Sequence, residues 1–585
     1  MSPLPISATV VPSFNPDSER APVAFKNLSA MHRATAERLG PRAELRFKRD
    51  GLYHDLSWTA CRRRADHAAA GLIDRGIGMG DRVGILAENS VDWLTADIAI
   101  LATGAVDVPV HAPSSPAQVE YQLRHSGARA VVVSNQGQAD KVLSSLESLP
   151  DLKLLVSFSP VETGGRIEHL SWEALILAGF LQGGFGAGLV AKREEARGLD
   201  DLATIIYTSG TTGNPKGVML SHGNLISNAE ETQAISILDE EDSLLSWLPY
   251  SHIYARTVDI YVCALVGATI CLADSPETLV VNLAEIQPTW LTAVPRFYEK
   301  LWSNLGNLPP EARDATLRRI FGTRIRRLSS GGAPLPKHLA EGFFAAGLPL
   351  YEGYGLTESS PVISFNYPDH HTPGTVGQAI PGVEVKIADD GEILTRGPHV
   401  MKGYWKDEDA TRAAIVDGWL HTGDVGHLDA EGFLTITDRK KDLIITSGGK
   451  NIAPGELERM LVHDEFIDQA VVCGDGRPFV SALIVPDFER LRTALGTGHG
   501  SLRIEDDIVT DPAAIALLKE RVDRIMLAVS QPERVRAFLL LGRPFQMEAE
   551  EVTSTMKVRR RHVLAKYKAR LDALYENRPL TYAEG

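Results

Sequence analysis

Residues 203–217 read ATIIYTSGTTGNPKG. The first half, Ala203 to Tyr207, is a short β-branched run bounded by polar residues, the pattern of a buried strand. The second half concentrates hydroxyls, glycines and one lysine. Gly210 and Gly213 let backbone N–H groups turn toward one centre, as in an anion-binding nest, and Thr208, Ser209, Thr211 and Thr212 add hydroxyl donors. Lys216 supplies a compact charge suited to phosphate. Asn214 to Gly217 also has the residues of a type I turn, so composition alone leaves a phosphate cradle and a plain turn both open. A Walker A loop is excluded, because Lys216 stands between Pro215 and Gly217 rather than between a glycine and a hydroxyl residue. GIGMGD, residues 76–81, is a weak lookalike of a dinucleotide fingerprint, since its sixth residue is Asp81.

Runs of the same strand character recur on both sides: DRVGILAEN at 81–89, ARAVVVSN at 128–135, DSLLSWLP at 242–249, GATICLA at 267–273 and TWLTAV at 289–294. Amphipathic stretches separate them, with helix signals at Ser221 as a cap and Pro295 in a first turn. Strands alternating with helices predict α/β layering with mostly parallel strands. After TDRKKD, residues 437–442, the pattern changes to LIIT, a Gly-Gly turn, a helix from Pro454 through Leu461, and strands DQAVVC and FVSALIV. The expected organisation is a large N-terminal α/β domain of several sheets, residues 1–440, and a smaller C-terminal α+β domain, residues 441–585.

The 585 residues exceed the size of one domain, and 44% apolar with 23% charged residues is the composition of a globular protein. A formal charge of −15 opposes general nucleic-acid binding, because a phosphate backbone would be repelled. Cys61, Cys263, Cys271 and Cys473 form no CxxC or disulfide framework and read as buried thiols in a reducing cytosol. The first twenty residues lack a basic start followed by an apolar core, and the run Ile260 to Ala273 is shorter than a bilayer span. The expected location is cytoplasmic, with peripheral membrane contact as an added option. Neither HExxH nor GxSxG occurs, which leaves zinc-protease and serine-hydrolase chemistry without support.

YTSGTTGNPKG is followed, in order, by LPYSHIYAR, SSGGAPL, YEGYGLTESSPV, GWLHTGDVG, DRKKDLIITSGGKNIAPGELE and TSTMKVRRR. Together these motifs resemble the acyl-adenylate-forming (AMP-binding) superfamily, and most closely its long-chain fatty acyl-CoA ligases, over roughly residues 25 to 570. The resemblance implies ATP-dependent activation of a medium- or long-chain fatty acid through acyl-AMP. Transfer to coenzyme A would follow, with release of AMP and pyrophosphate and with Mg²⁺ as cofactor. It leaves an acyl-AMP ligase that loads a carrier protein, or an aryl-acid CoA ligase, as alternatives, and a non-catalytic acyl-nucleotide binder as a further one.

The resemblance also implies roles residue by residue. Thr208, Ser209, Gly210, Thr211, Thr212, Gly213 and Lys216 would hold the triphosphate. Gly331, Gly332, Ala333, Tyr354 and Gly355 would form the adenine side, Thr357 a phosphate contact, and Glu358 the metal carboxylate. Asp424 and Arg439 would grip the ribose hydroxyls. His252, with Tyr250 and Tyr254, would gate and line the acyl pocket. Lys441 would be the hinge, Gly448 and Gly449 would lie beside coenzyme A, and Lys557 would serve the adenylation step. Arg559, Arg560, Arg561, Lys566 and Lys568 form a basic run open to three readings: a solvated helix face, a coenzyme A phosphate site or an anionic-membrane patch. The expected partners are a fatty acid, ATP and coenzyme A, with no nucleic acid, and a homodimer is a further option.

Overall fold

The computed structural model describes residues 24–208, 214–306, 308–440, 442–447, 451–496, 502–547, 549–552 and 558–576. Ser209 to Gly213, Lys441, Gly448, Gly449 and Lys557 lie outside the described residues. The chain is α/β, and it divides into two compact units. The first comprises residues 1–386, 394–422 and 428–435, and the second residues 387–393, 423–427 and 436–585.

Two large sheets build the first unit. One runs in the order Gly403–Tyr404, Lys216–Ser221, Leu202–Thr208, Val106–Val110, Arg82–Leu86, Ala128–Val133, Leu154–Ser157, Glu168–Ser171. From Leu202–Thr208 onward every pairing is parallel. Such strands are covered on both faces, so their alternate residues are equally apolar: Ala130, Val131, Val132 and Val133 are all buried. The second sheet is parallel from Ala43–Arg49 through Thr269–Leu272, Ser243–Ser246, Trp290–Ala293 and Arg327–Ser330 to Leu350–Gly355. Its core gathers Tyr298, Phe321, Phe343 and a shell of leucines.

The helix signals are used as written. Ser221 and Asn224 form a reciprocal capping box on His222–Ser236, and Pro295 opens Pro295–Asn304. The apolar run at 260–273 becomes the end of a π-helical segment, the helix Val262–Val266 and the strand Thr269–Leu272. In the second unit the helix Pro454–Val462 packs on the strands Ile467–Cys473, Val480–Pro486 and Val535–Leu540 around Leu457, Leu461, Val472 and Ile484. Among the described residues, no single helix is long and apolar enough to cross a membrane.

The basic run near the C-terminus is largely neutralised within its own unit. Arg559 meets Glu550, Arg560 meets Glu458, Lys566 meets Glu551, Lys568 meets Asp572 and Arg570 meets Asp506. Buried Glu551 also accepts Arg543, and these partners hold its carboxyl at about 2 against the opposing cost of burial. Of the three readings, this pairing favours the solvated helix face.

Candidate functional site

In open α/β sheets ligands collect outside the carboxyl ends of parallel strands. Most of the motifs of the first unit stand there. The hydroxyl and glycine loop follows Leu202–Thr208, LPYSHIY follows Ser243–Ser246, GGAPL follows Arg327–Ser330 and LTES follows Leu350–Gly355. His111 occupies the same position after Val106–Val110.

Thr208 and Lys216 are cross-strand partners at the mouth of an antiparallel hairpin, and Tyr207 faces Gly217. The type I turn suggested by NPKG is therefore not what forms: Lys216 and Gly217 are already extended in the returning strand. Packing explains the glycine. A Cβ at Gly217 would sit 2.8 Å from Ile205 Cγ2 and 3.3 Å from Trp405 Cβ. Trp405 N donates to Gly217 O, and the strand Gly403–Tyr404 pairs with Val218 and Met219.

That third strand brings in a residue the sequence reading missed. Tyr404 donates its hydroxyl to Glu358 Oε1 at 2.9 Å, and the Lys216 ammonium lies 4.7 Å from the centre of its ring. One phenol thus links the lysine of the loop to the candidate metal carboxylate. Burial, then the charge of Glu358, pushes the Tyr404 hydroxyl upward, so it stays a donor. Glu358 sits in the short turn Thr357–Ser359, held from behind by Met401 N donating to its carbonyl. Its bound partner is a neutral phenol, and no ion pair to it is present among the described residues. A single hard carboxylate completed by phosphate oxygens is a suitable Mg²⁺ site. Among the described residues no cluster of three metal-ligating side chains exists, so Mg²⁺ here would need substrate oxygens.

Beside this line the glycines of two motifs allow close backbone approach. A Cβ at Gly331 would meet the Tyr254 ring at 3.0 Å, and Gly332 adopts φ +82 with open space around it. Gly355 is more constrained, because a Cβ there would lie 1.8 Å from the Pro361 carbonyl. Leu335 N donates to Glu352 Oε1, which fastens GGAPL, including half-buried Ala333, to the strand that carries half-buried Tyr354. Thr257 Oγ1 donates to Ser360 O, tying the LPYSHIYAR segment to LTESS.

His252 caps the short helix Ile253–Ala255, its Nδ1 accepting from Tyr254 N. Dense surroundings lower the imidazole to about 4, although part of the residue still meets solvent. His111 shares a 3.1 Å hydrogen bond with the Ser251 hydroxyl, and burial followed by His252 and Lys141 lowers it to about 4 as well. Two neutral imidazoles therefore flank Ser251. Tyr250 is fully buried with its ring 5.3 Å from that of Trp93, so it belongs to the core beneath the segment.

Behind the site lies a buried charge cluster. Arg256 donates to Tyr261 Oη and Thr204 Oγ1, both at 2.8 Å, and forms ion pairs with Asp97 and Asp107. All three charged side chains are inaccessible. Burial raises the Asp107 carboxyl above its ordinary value against the pull of Arg256, and burial lowers Arg256 less than the two acids raise it.

In the second unit Asp424 and Arg439 sit on adjacent strands, Trp419–Leu428 and Leu434–Arg439, with Arg439 Nε 2.9 Å from Asp424 Oδ1. The Asp424 side chain is only 5% exposed, unlike that of a surface ion pair. Next to them Gly423 N donates to Glu392 Oε1, and Lys440 spans Glu392 and Asp390.

Of the residues singled out from the sequence, the structure brings Thr208, Lys216 and Glu358 together through Tyr404, a residue that sequence reasoning missed along with His111 and Arg256. Tyr404 lies within MKGYW, a stretch with no motif of its own, and only strand pairing brings it to Glu358.

Comparison with known proteins gives a consistent picture. The family described as AMP-binding enzyme matches residues 33–405, and its C-terminal domain matches residues 441–579. The chain is 36% identical to the long-chain-fatty-acid--CoA ligase FadD15 of Mycobacterium bovis, covering 90% of this chain and 93% of that protein. Its fold is similar to that of ATP-bound MatB from Rhodopseudomonas palustris, with TM-score 0.70, 25% identity and coverage of 93% and 99%. It is also similar to O-succinylbenzoate coenzyme A synthetase from Bacillus subtilis in complex with ATP and magnesium ion, with TM-score 0.68, 23% identity and coverage of 91% and 98%. The motifs in their order, the strand ends that carry them and these matches together show that the chain belongs to the AMP-binding enzyme family.

Proposed function

We propose that the protein is an ATP- and Mg²⁺-dependent ligase that converts a medium- or long-chain fatty acid to its acyl-CoA through acyl-AMP. The observation that carries the reading is the line Lys216–Tyr404–Glu358 beside Thr208, a phosphate cation and a metal carboxylate held by one phenol. The name of the mycobacterial relative supports a fatty acid over an aryl acid.

In this reading Thr208 to Gly213 and Lys216 hold the β- and γ-phosphates, where fixed donors oppose the growing charge on the leaving group. Glu358 would hold Mg²⁺, which when bound would neutralise phosphate oxygens. Gly331, Gly332, Ala333, Tyr354 and Gly355 receive the adenine, and Thr357 contacts phosphate. Asp424 can accept from both ribose hydroxyls while Arg439 fixes its orientation. Neutral His252 stands at the acyl entrance. Lys557 bridges the acyl carboxylate and the α-phosphate, and Lys441 is the pivot at the boundary between residues 1–440 and 441–585. Gly448 and Gly449 lie beside the pantetheine arm of coenzyme A.

The test follows pyrophosphate release across carboxylic acids of graded chain length, with and without coenzyme A, and identifies the products by mass. Acyl-CoA from fatty acids is expected. Its absence with every fatty acid, or product formation from aryl acids alone, overturns the reading.

A further inference from the structure

Residues 174–191 read ALILAGFLQGGFGAGLVA, eighteen positions without a charge. They form a corner between the helices Trp172–Leu181 and Gly183–Glu195, whose axes are bent by 103°. Gly183 makes the corner with φ +55, a conformation that favours glycine. The inner face is firmly seated. Trp172, Leu175, Gly179, Gly186 and Val190 are buried, and the approach to the helix Trp58–Asp74 is so close that a Cβ at Gly179 would lie 1.8 Å from His67 O. The outer face is bare: Leu177 is 54% exposed, Phe180 58%, Leu181 73% and Phe185 71%. Phe180 leans on the His67 ring, centroid to centroid 5.3 Å.

We infer that this corner is the protein's contact with a lipid surface, lying in the membrane interface without spanning it. Exposed to this degree, four such side chains present roughly 500 Å² of apolar surface, near the upper end of what a monomer leaves uncovered. A stable protein dimer takes about 800 Å² per partner and a hydrogen bond for every 100–200 Å² or so. The corner has too little area for that, and between Ala174 and Ala191 the side chains offer only Gln182 as a polar group. A lipid surface requires neither matching shape nor polar partners, and a protruding corner is what can enter it. The absence of charge further distinguishes this contact from an electrostatic one. In the basic run at 559–570, Arg559, Arg560, Lys566, Lys568 and Arg570 are committed to acids, whereas the corner would hold zwitterionic lipid as well as anionic lipid.

The experiment is flotation of the full chain with phosphatidylcholine vesicles, and in parallel with vesicles containing phosphatidylserine, without substrate or ATP. A failure therefore leaves the ligase reading untouched. The chain is expected to float with both, changing less than about twofold between roughly 50 mM and 500 mM salt, because apolar insertion is not screened. The double variant Leu181→Asp/Phe185→Asp should lose at least about tenfold of the bound fraction while retaining its circular dichroism and thermal midpoint, since both side chains already face solvent. Phe185→Leu should keep most of the binding. Three results overturn the proposal: no flotation of the parent chain, equal flotation of the double variant, or binding that needs phosphatidylserine and vanishes at high salt. A concentration-dependent dimer that the double variant abolishes, seen in sedimentation without vesicle binding, also overturns it.

Discussion

Removing one oxygen atom, by Tyr404→Phe, tests whether Glu358 must be oriented by its neighbour. The ring remains, and with it the Lys216 ammonium 4.7 Å from its centre, so only the 2.9 Å bond to Glu358 Oε1 is lost. A hydrogen bond to a charged group contributes about 1.5–3 kcal/mol when buried. Both residues are half-buried, which places the present bond toward the low end, about 1–2 kcal/mol. Converted at about 1.4 kcal/mol per tenfold, kcat/KM for pyrophosphate release should fall about 5- to 30-fold. The Mg²⁺ concentration for half-maximal rate should rise, and thioester formation from supplied acyl-AMP should hold steady. Tyr404→Leu removes the ring as well and should add a further loss of about two- to fivefold, felt in the KM for ATP. A double-mutant cycle with Glu358→Gln isolates the pair, and the coupling expected is about 1–2 kcal/mol. Wild-type Mg²⁺ dependence in Tyr404→Phe, or a coupling below about 0.5 kcal/mol, would refute the argument that the phenol positions the carboxylate.

Arg256→Met strands two buried acids and should cost about 3–5 kcal/mol in urea unfolding. A loss under about 1 kcal/mol would mean that Asp97 and Asp107 do not depend on the cation. His222 is buried and lowered to about 3 from an ordinary 6.5, so the folded chain excludes a proton that the unfolded chain takes up. Its contribution is complete above pH 6.5 and is lost as pH falls toward 3. The stability difference between wild type and His222→Gln should therefore shrink by about 2 kcal/mol from pH 7 to pH 5, and an unchanged difference contradicts a buried neutral imidazole. Lys557→Ala should lower acyl-AMP formation by at least about 100-fold while largely sparing thioester formation from added acyl-AMP, as read by single-turnover product analysis. Equal loss in both steps argues against a role confined to adenylation.

Local signals carried most of the architecture into the sequence. Ala128 to Val133 is a strand because a β-branched run follows a helix-ending glycine, and Gly127 at φ +70 is that ending. The motifs located Glu358 and Lys216 for the same reason, each being embedded in distinctive neighbours. What stayed hidden depends on partners far along the chain. Tyr404 reaches Glu358 across 46 positions, and Arg256 reaches Asp97 across 159, with no periodicity linking them. Gly217 misled for a related reason: its turn-like company is local, but Ile205 and Trp405 decide what it does.

The Arg256 cluster has a consequence for how this chain can change. Its guanidinium joins the strand bearing Thr204, which leads into the hydroxyl and glycine loop, to Asp107 on the neighbouring strand and to Asp97 on a helix. Single substitutions leave a charge stranded, whereas replacing all three by apolar residues of similar volume removes the desolvation cost together with the attraction. Arg256, Asp97 and Asp107 therefore have to be exchanged together. A graft of the LPYSHIYAR segment into another scaffold must carry both acids with it or lose its footing.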